Sequence, residues 1–215
     1  MRGKKEMKEE DKLQLVNKQH KIRKEQIPKH LTIPHVMFAV EKEGKKETTL
    51  CFYQGNFGYI EGKAGKKYLE QEVALALEKL FIRGMKEGQY FAMISGYRSY
   101  ERQKELYEES VKKHGCSYAN RYSAKPGYSE HQTGLAVDIS CASVNYQLEE
   151  CFANTKEYRW LKKNCWKEGF IIRYPKGKEA ITGYSFEPWH LRYVGCRAAE
   201  IIMKFQLTLE EFLMV

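Results

Sequence analysis

Ser129-Glu130-His131-Gln132-Thr133-Gly134-Leu135-Ala136-Val137-Asp138 is the stretch that decides the fold of this 215-residue chain. Leu135, Val137 and Ile139 alternate with Ala136, Asp138 and Ser140, the period of a strand with one face in a core. Asp138 is therefore expected to point away from the apolar side, and Gly134 to permit a tight turn just before the strand. An imidazole at a loop end and a carboxylate on the adjoining strand can converge on one cation. Both suit zinc.

A third ligand has to come from elsewhere. The best candidate lies in Phe186-Glu187-Pro188-Trp189-His190-Leu191-Arg192-Tyr193-Val194. Here His190 is the candidate ligand, and Glu187, three residues earlier, stands beside the metal rather than on it. A catalytic zinc with three protein ligands keeps a position open for water, and a nearby carboxylate can take that water's proton. His131, Asp138 and His190, with Glu187 as base, make a coherent hydrolytic centre.

These residues resemble the two signatures of the zinc D-alanyl-D-alanine carboxypeptidases of the VanY type, with their L,D-carboxypeptidase relatives. The pattern S-x-H-x-x-G-x-A-x-D followed by E-x-W-H is filled at every fixed position. A third family element, S-G-Y-R-S, is present as Ser95-Gly96-Tyr97-Arg98-Ser99. The resemblance covers roughly residues 13–194. It implies a zinc enzyme that hydrolyses the C-terminal D-alanine from peptidoglycan stem peptides. It also implies an α+β fold, a compact single domain with a central, mainly antiparallel sheet flanked by helices, of the kind shared with hedgehog-type modules. The mixed order of helices and apparently antiparallel strands points to the same class.

Arg98 follows a buried strand over residues 91–94. Its permanently charged, planar guanidinium suits the oxyanion that forms when water attacks a peptide carbonyl. The rival reading is a surface arginine in a structural salt bridge, and the family element favours the catalytic one. Gln103, one turn into the next helix, faces the substrate by resemblance. Ser129 either hydrogen-bonds the substrate's terminal carboxylate or satisfies its own loop backbone. Glu187 could also simply pair with a lysine or with Arg192. Two imidazoles in the set favour zinc over magnesium, which prefers oxygen ligands. Two other functions fit a zinc site on this fold: an endopeptidase cutting peptide cross-bridges, and a non-catalytic binding module. Retention of Glu187 and Arg98 argues against the module.

The net charge of +9 suggests an anionic neighbour without choosing among nucleic acid, membrane and cell-wall polymers. No nucleic-acid motif accompanies it and the lysines are scattered, so no nucleic-acid partner is expected. Residues 1–12 form a charged segment, possible as a flexible extension, ahead of a domain over 13–215. The segment lacks the apolar run of a signal peptide or membrane span. Wall chemistry implies export to the cell envelope, with a signal or anchor ahead of this sequence; the alternative is a cytoplasmic protein acting on recycled wall peptides. A monomer is expected. Six cysteines form no C-x-x-C pair, which argues against a zinc knuckle or redox motif. Buried free thiols are the simplest reading.

Further along the chain, a short strand is expected over 13–18, and prolines at 28 and 34 exclude a long helix over 21–40. His20, His30 and His35 are read as surface residues. Residues 48–60 are aromatic and β-branched, followed by a loop over 61–65. An amphipathic helix runs from near 68 to Gly84 or Gly88, and Ser99 caps a second over 100–113, with Leu106, Tyr107 and Val111 inward. Residues 116–126 read as a loop, 145–169 as mostly helical, 170–173 and 189–194 as strands, and 198–215 as a helical tail. The connection over 176–184 is placed at the border of the site.

Overall fold

The alternation around Asp138 does build a strand, and that strand lies in the interior of a six-stranded sheet. The computed structural model describes residues 7–41, 48–52 and 67–215. In chain order the elements are α1 (Glu9–Lys12), β1 (Leu31–Thr32), β2 (Met37–Glu41), β3 (Thr48–Phe52), β4 (Leu69–Glu70), α2 (Gln71–Lys86), β5 (Ala92–Ser95), α3 (Tyr100–His114) and α4 (Cys116–Tyr122). They continue with β6 (Ala136–Ser140), α5 (Lys156–Asn164), β7 (Phe170–Tyr174), α6 (Glu179–Thr182), β8 (Glu187–Tyr193), α7 (Cys196–Phe205) and α8 (Leu209–Leu213). The sheet order is β3-β2-β5-β6-β8-β7, antiparallel throughout except for the parallel β2–β5 pair. β1 and β4 form a separate two-stranded ribbon. The result is a single α+β domain.

Both faces of the sheet are covered, which corrects the expectation of a one-sided strand: all five residues of β6 are buried. One face carries the larger core, where Leu77 and Leu80 of α2 and Leu161 of α5 join Val137, Ile139 and Leu191. Each such fully buried side chain is worth about 1.5–3 kcal/mol relative to exposure. A second apolar cluster joins Ile171 and Val194 to Ala199, Ile202 and Leu209 of the last two helices.

Three local readings change. Residues 13–18 form no strand. Instead Val16 and Asn17 are buried, and the carbonyls of Lys12 and Gln14 accept hydrogen bonds from Arg192 Nη2 at 3.0 and 2.7 Å. A buried guanidinium has taken the backbone acceptors that a ladder would have used. Part of the expected 116–126 loop is helix α4, which packs on α3. Leu106, Tyr107 and Val111 are only half-buried, because α3 lies at the periphery and Gln103 is its one buried residue. Cys116, Cys141, Cys151, Cys165 and Cys196 are free; Cys141 and Cys165 are buried while the other three are exposed. The 61–65 loop lies outside the described residues.

Ser99 caps α3 as expected, its hydroxyl accepting from Arg102 N at 3.1 Å. Just before it, Gly96 lets the chain leave β5 against the backbone at Tyr68, one residue ahead of β4. A Cβ there would collide with the Tyr68 carbonyl oxygen and the Met93 side chain. Gly96→Ala should therefore cost about 1–3 kcal/mol through overpacking. Urea denaturation measures this; an unchanged midpoint would show that the two backbones are not so closely packed.

Candidate active site

Strand register brings the first two side chains together. Asp138 on β6 and His190 on β8 are direct cross-strand partners, so both leave the same face of the sheet. His131 arrives from the short 3-10 turn Glu130–Thr133, which Gly134 ends in the left-handed region at φ 71°. The turn is tied to the β5–α3 loop twice. Arg98 N donates to the His131 carbonyl at 3.1 Å, and His131 Nδ1 lies 2.7 Å from the Gly96 carbonyl oxygen. A carbonyl can only accept, so Nδ1 carries the proton and Nε2 presents its lone pair.

That Nε2 lies 3.3 Å from Asp138 Oδ2. His190 Nδ1 lies 3.2 Å from Asp138 Oδ1 and 3.5 Å from Glu187 Oε2. One ligand atom from each of His131, Asp138 and His190 falls within 4.8 Å of the others, and all three residues are buried. Asp138 Oδ1 is buried and makes no hydrogen bond. A buried carboxylate oxygen without a donor calls for a charged partner, so the set fits a divalent cation. Two imidazoles and one carboxylate, all three on one side of the sheet, are a donor set suited to zinc.

The electrostatics separate the two carboxylates. Burial opposes ionisation of Asp138, but His131 and His190 overcome it and hold the carboxyl well below the usual range. Glu187 goes the other way: burial, reinforced by the charges of Asp138 and Glu130 and opposed by His190 and Arg98, pushes it up to about 7. Burial lowers His131. It also disfavours charge on His190, yet the adjacent carboxylates of Asp138 and Glu130, with that of Glu187, raise that ring to about 9. One carboxylate is thus permanently anionic, as a ligand must be, and its neighbour is poised to exchange a proton near neutrality.

Around this group lies a cleft of about 220 Å³, walled in part by Arg98, Gln103, Ser129, Tyr184 and Trp189. Arg98 Nη1 donates to Gln103 Oε1 at 2.8 Å and Nη2 to Ser95 Oγ at 3.3 Å, while its buried Nε has no partner. Gln103 passes the constraint on, donating from Nε2 to the Ala124 carbonyl at 2.7 Å. Its amide is engaged at both ends, so it holds Arg98 in place. Ser129 sits at the N-cap of the 3-10 turn without making a cap hydrogen bond. Tyr184, from the connection ahead of β8, donates its hydroxyl to the Tyr128 carbonyl at 3.0 Å.

Residues 66–196 match the VanY model, described as D-alanyl-D-alanine carboxypeptidase. The chain belongs to that family. It is 44% identical over 200 residues to YodJ of Bacillus subtilis (strain 168), whose name assigns it to the carboxypeptidases; the match covers 93% of this chain and 66% of YodJ, so the chain spans about two thirds of that relative. Among solved structures, the LdcB LD-carboxypeptidase superposes with a TM-score of 0.82 at 44% identity, covering 96% of this chain and 87% of LdcB. A mutant of the vancomycin-resistance D,D-pentapeptidase VanY in complex with Zn(II) superposes with a TM-score of 0.65 at 33% identity, covering 94% and 99%.

In this member of the family, sequence reasoning misses a buried ionic cluster behind the cleft. Glu130, at an unfixed position of the motif, receives Arg173 Nε and Arg192 Nη1 on its Oε1 at 2.7 and 2.8 Å. Arg173 also forks onto Glu210 of α8 at 2.7 and 2.9 Å. Both arginines are fully buried. Arg192, a candidate partner for Glu187, pairs with Glu130 instead. The signal available was slight: Arg173 interrupts an otherwise apolar strand, and buried arginines need carboxylates.

Replacing His131 or His190 with alanine leaves two ligands. After dialysis, the native chain should keep one equivalent of zinc and either variant far less, read by atomic absorption. Full retention in both variants would remove them from the ligand set.

Proposed function

We propose that the chain is a zinc-dependent carboxypeptidase that removes the C-terminal D-alanine from peptidoglycan stem peptides at the cell envelope. The observation that carries this reading is the meeting of His131, Asp138 and His190 within 4.8 Å with Glu187 3.5 Å from His190. Family membership supports the reaction class, and the Zn(II) complex of the related VanY supports the metal. When bound, zinc supplies Lewis-acid polarisation of the scissile carbonyl and eases deprotonation of water.

The chain's own residues do the rest. His131, Asp138 and His190 hold the cation. Glu187 accepts the proton of the attacking water and passes it to the leaving amine nitrogen, as a general base and then a general acid. A carboxyl whose affinity for protons is raised by burial is matched to both steps. Arg98, oriented by Gln103 and Ser95 at the wall of the cleft, is assigned to stabilise the carbonyl oxygen as charge develops. The Ser129 hydroxyl is uncommitted and is assigned to the substrate's terminal carboxylate.

The likeness to LdcB, higher than to VanY in both identity and TM-score, favours the bond between an L-diamino acid and D-alanine. With tetrapeptide and pentapeptide stems side by side, faster release of D-alanine from the tetrapeptide is expected. Faster release from the pentapeptide would reassign the bond, internal cleavage would make the chain an endopeptidase, and no turnover a binding module.

Glu187→Gln should keep the metal and lose about 100-fold or more in turnover, the ordinary scale of general-base catalysis. Native turnover in that variant would remove Glu187 from its role. The base acts ionised, so kcat/KM should fall as pH drops through the Glu187 pKa. A cation beside it draws the carboxyl down, which puts that acid limb below about pH 7. A kcat/KM that rises as pH drops below 7 would contradict the assignment.

A further inference from the structure

The two nitrogens of His190 face different carboxylates. Nδ1 is turned to Asp138 and Glu187, at 3.2 and 3.5 Å. Nε2 is turned to Glu130, with 3.6 Å between it and Oε2. Glu130 is 1% exposed. Its Oε2 and His190 Nε2 are both buried without a hydrogen bond to any other group. The two atoms face each other a few tenths of an ångström beyond hydrogen-bond range.

Resting on the zinc reading above, we propose that Glu130 is the positioning residue for His190. Its Oε2 accepts the Nε2 proton, which fixes the ring and leaves the Nδ1 lone pair for the cation. The two histidines are thus oriented by different acceptors. His131 donates its Nδ1 proton to a neutral carbonyl, that of Gly96, and His190 donates its Nε2 proton to an anion. A carboxylate is the stronger acceptor and makes the ring a more basic ligand.

Glu130 can serve because its other oxygen is immobilised. Arg173 and Arg192 both hold Oε1, and each is anchored in turn. Glu210 of α8 forks onto Arg173, and Asn17 Nδ2 donates to Glu210 Oε1 at 3.0 Å. The carbonyls of Lys12 and Gln14 fix Arg192. Tyr174 closes the remaining side, its ring 4.9 Å from that of His190. The segment 12–17 and helix α8, which contribute no ligand, set the orientation of one.

The test uses the zinc-loaded full chain labelled with 15N at histidine. The His190 signals should show Nδ1 shifted by the metal and Nε2 carrying a slowly exchanging proton. Glu130→Gln keeps the size and one acceptor oxygen but loses the charge. It should weaken zinc binding about 10–100-fold in a chelator competition and move the His190 Nε2 resonance, with the His131 signals unmoved. Glu210→Gln, one step further away, should shift the same resonance less and in the same direction. Zinc held through Nε2 would overturn the proposal, as would a folded Glu130→Gln with native affinity and an unmoved His190 signal. Loss of zinc from the native chain on dialysis would instead refute the zinc reading, and this proposal with it. Should Glu130→Gln fail to fold, the native spectrum alone decides which nitrogen holds the metal.

Discussion

Asp138 and His190 are neighbours across the β6–β8 ladder, and almost every other feature of the site exists to make that adjacency tolerable and useful. A carboxylate this deeply buried is costly unless charge and hydrogen bonds surround it. His131 and His190 flank it at 3.3 and 3.2 Å, and Arg98 adds positive potential from the β5–α3 loop. The register that creates the pair has no latitude. A slip of one residue on β6 would put Val137 or Ile139 where the carboxylate stands and turn Asp138 into the apolar core.

Regular ladders surround this pair on one side only. Pairing between β5 and β6 shifts between Met93 and Ser95, and pairing between β7 and β8 shifts between Ile172 and Tyr174. Both irregularities fall beside the cleft, where bulges commonly re-aim side chains. Beyond the first, Ser95 faces Asp138; beyond the second, Tyr174 faces Glu187. Pro188 lies in the irregular stretch of β8. With no N–H to donate, it cannot complete a regular ladder there.

Behind the site, polar burial takes the place of an apolar core. Arg173, Arg192, Glu130 and Glu210 form two positive and two negative charges with good hydrogen-bond geometry. Such clusters add little net stability over apolar packing, yet losing one member costs several kcal/mol because a charge is then stranded. What they supply here is a fixed direction for the carboxylate beside His190. The same face therefore carries an apolar cluster under α7 and α8 and an ionic one next to the cleft.

The sequence by itself determined the strand around Asp138, the caps and turns at Ser99 and Gly134, the amphipathic α2, and the residues that fill the family's fixed positions. Those features follow from local periodicity, backbone freedom and side-chain chemistry, all of which can be read within a few residues. Only the tertiary structure decided that residues 13–18 serve as acceptors for Arg192 rather than as a strand, that α4 forms against α3, and that Gln103 holds Arg98. It also decided that Glu130 faces His190. Each of these depends on a partner far away in sequence, and no local pattern specifies which distant hydrogen-bonding group will claim a given carbonyl, guanidinium or carboxylate.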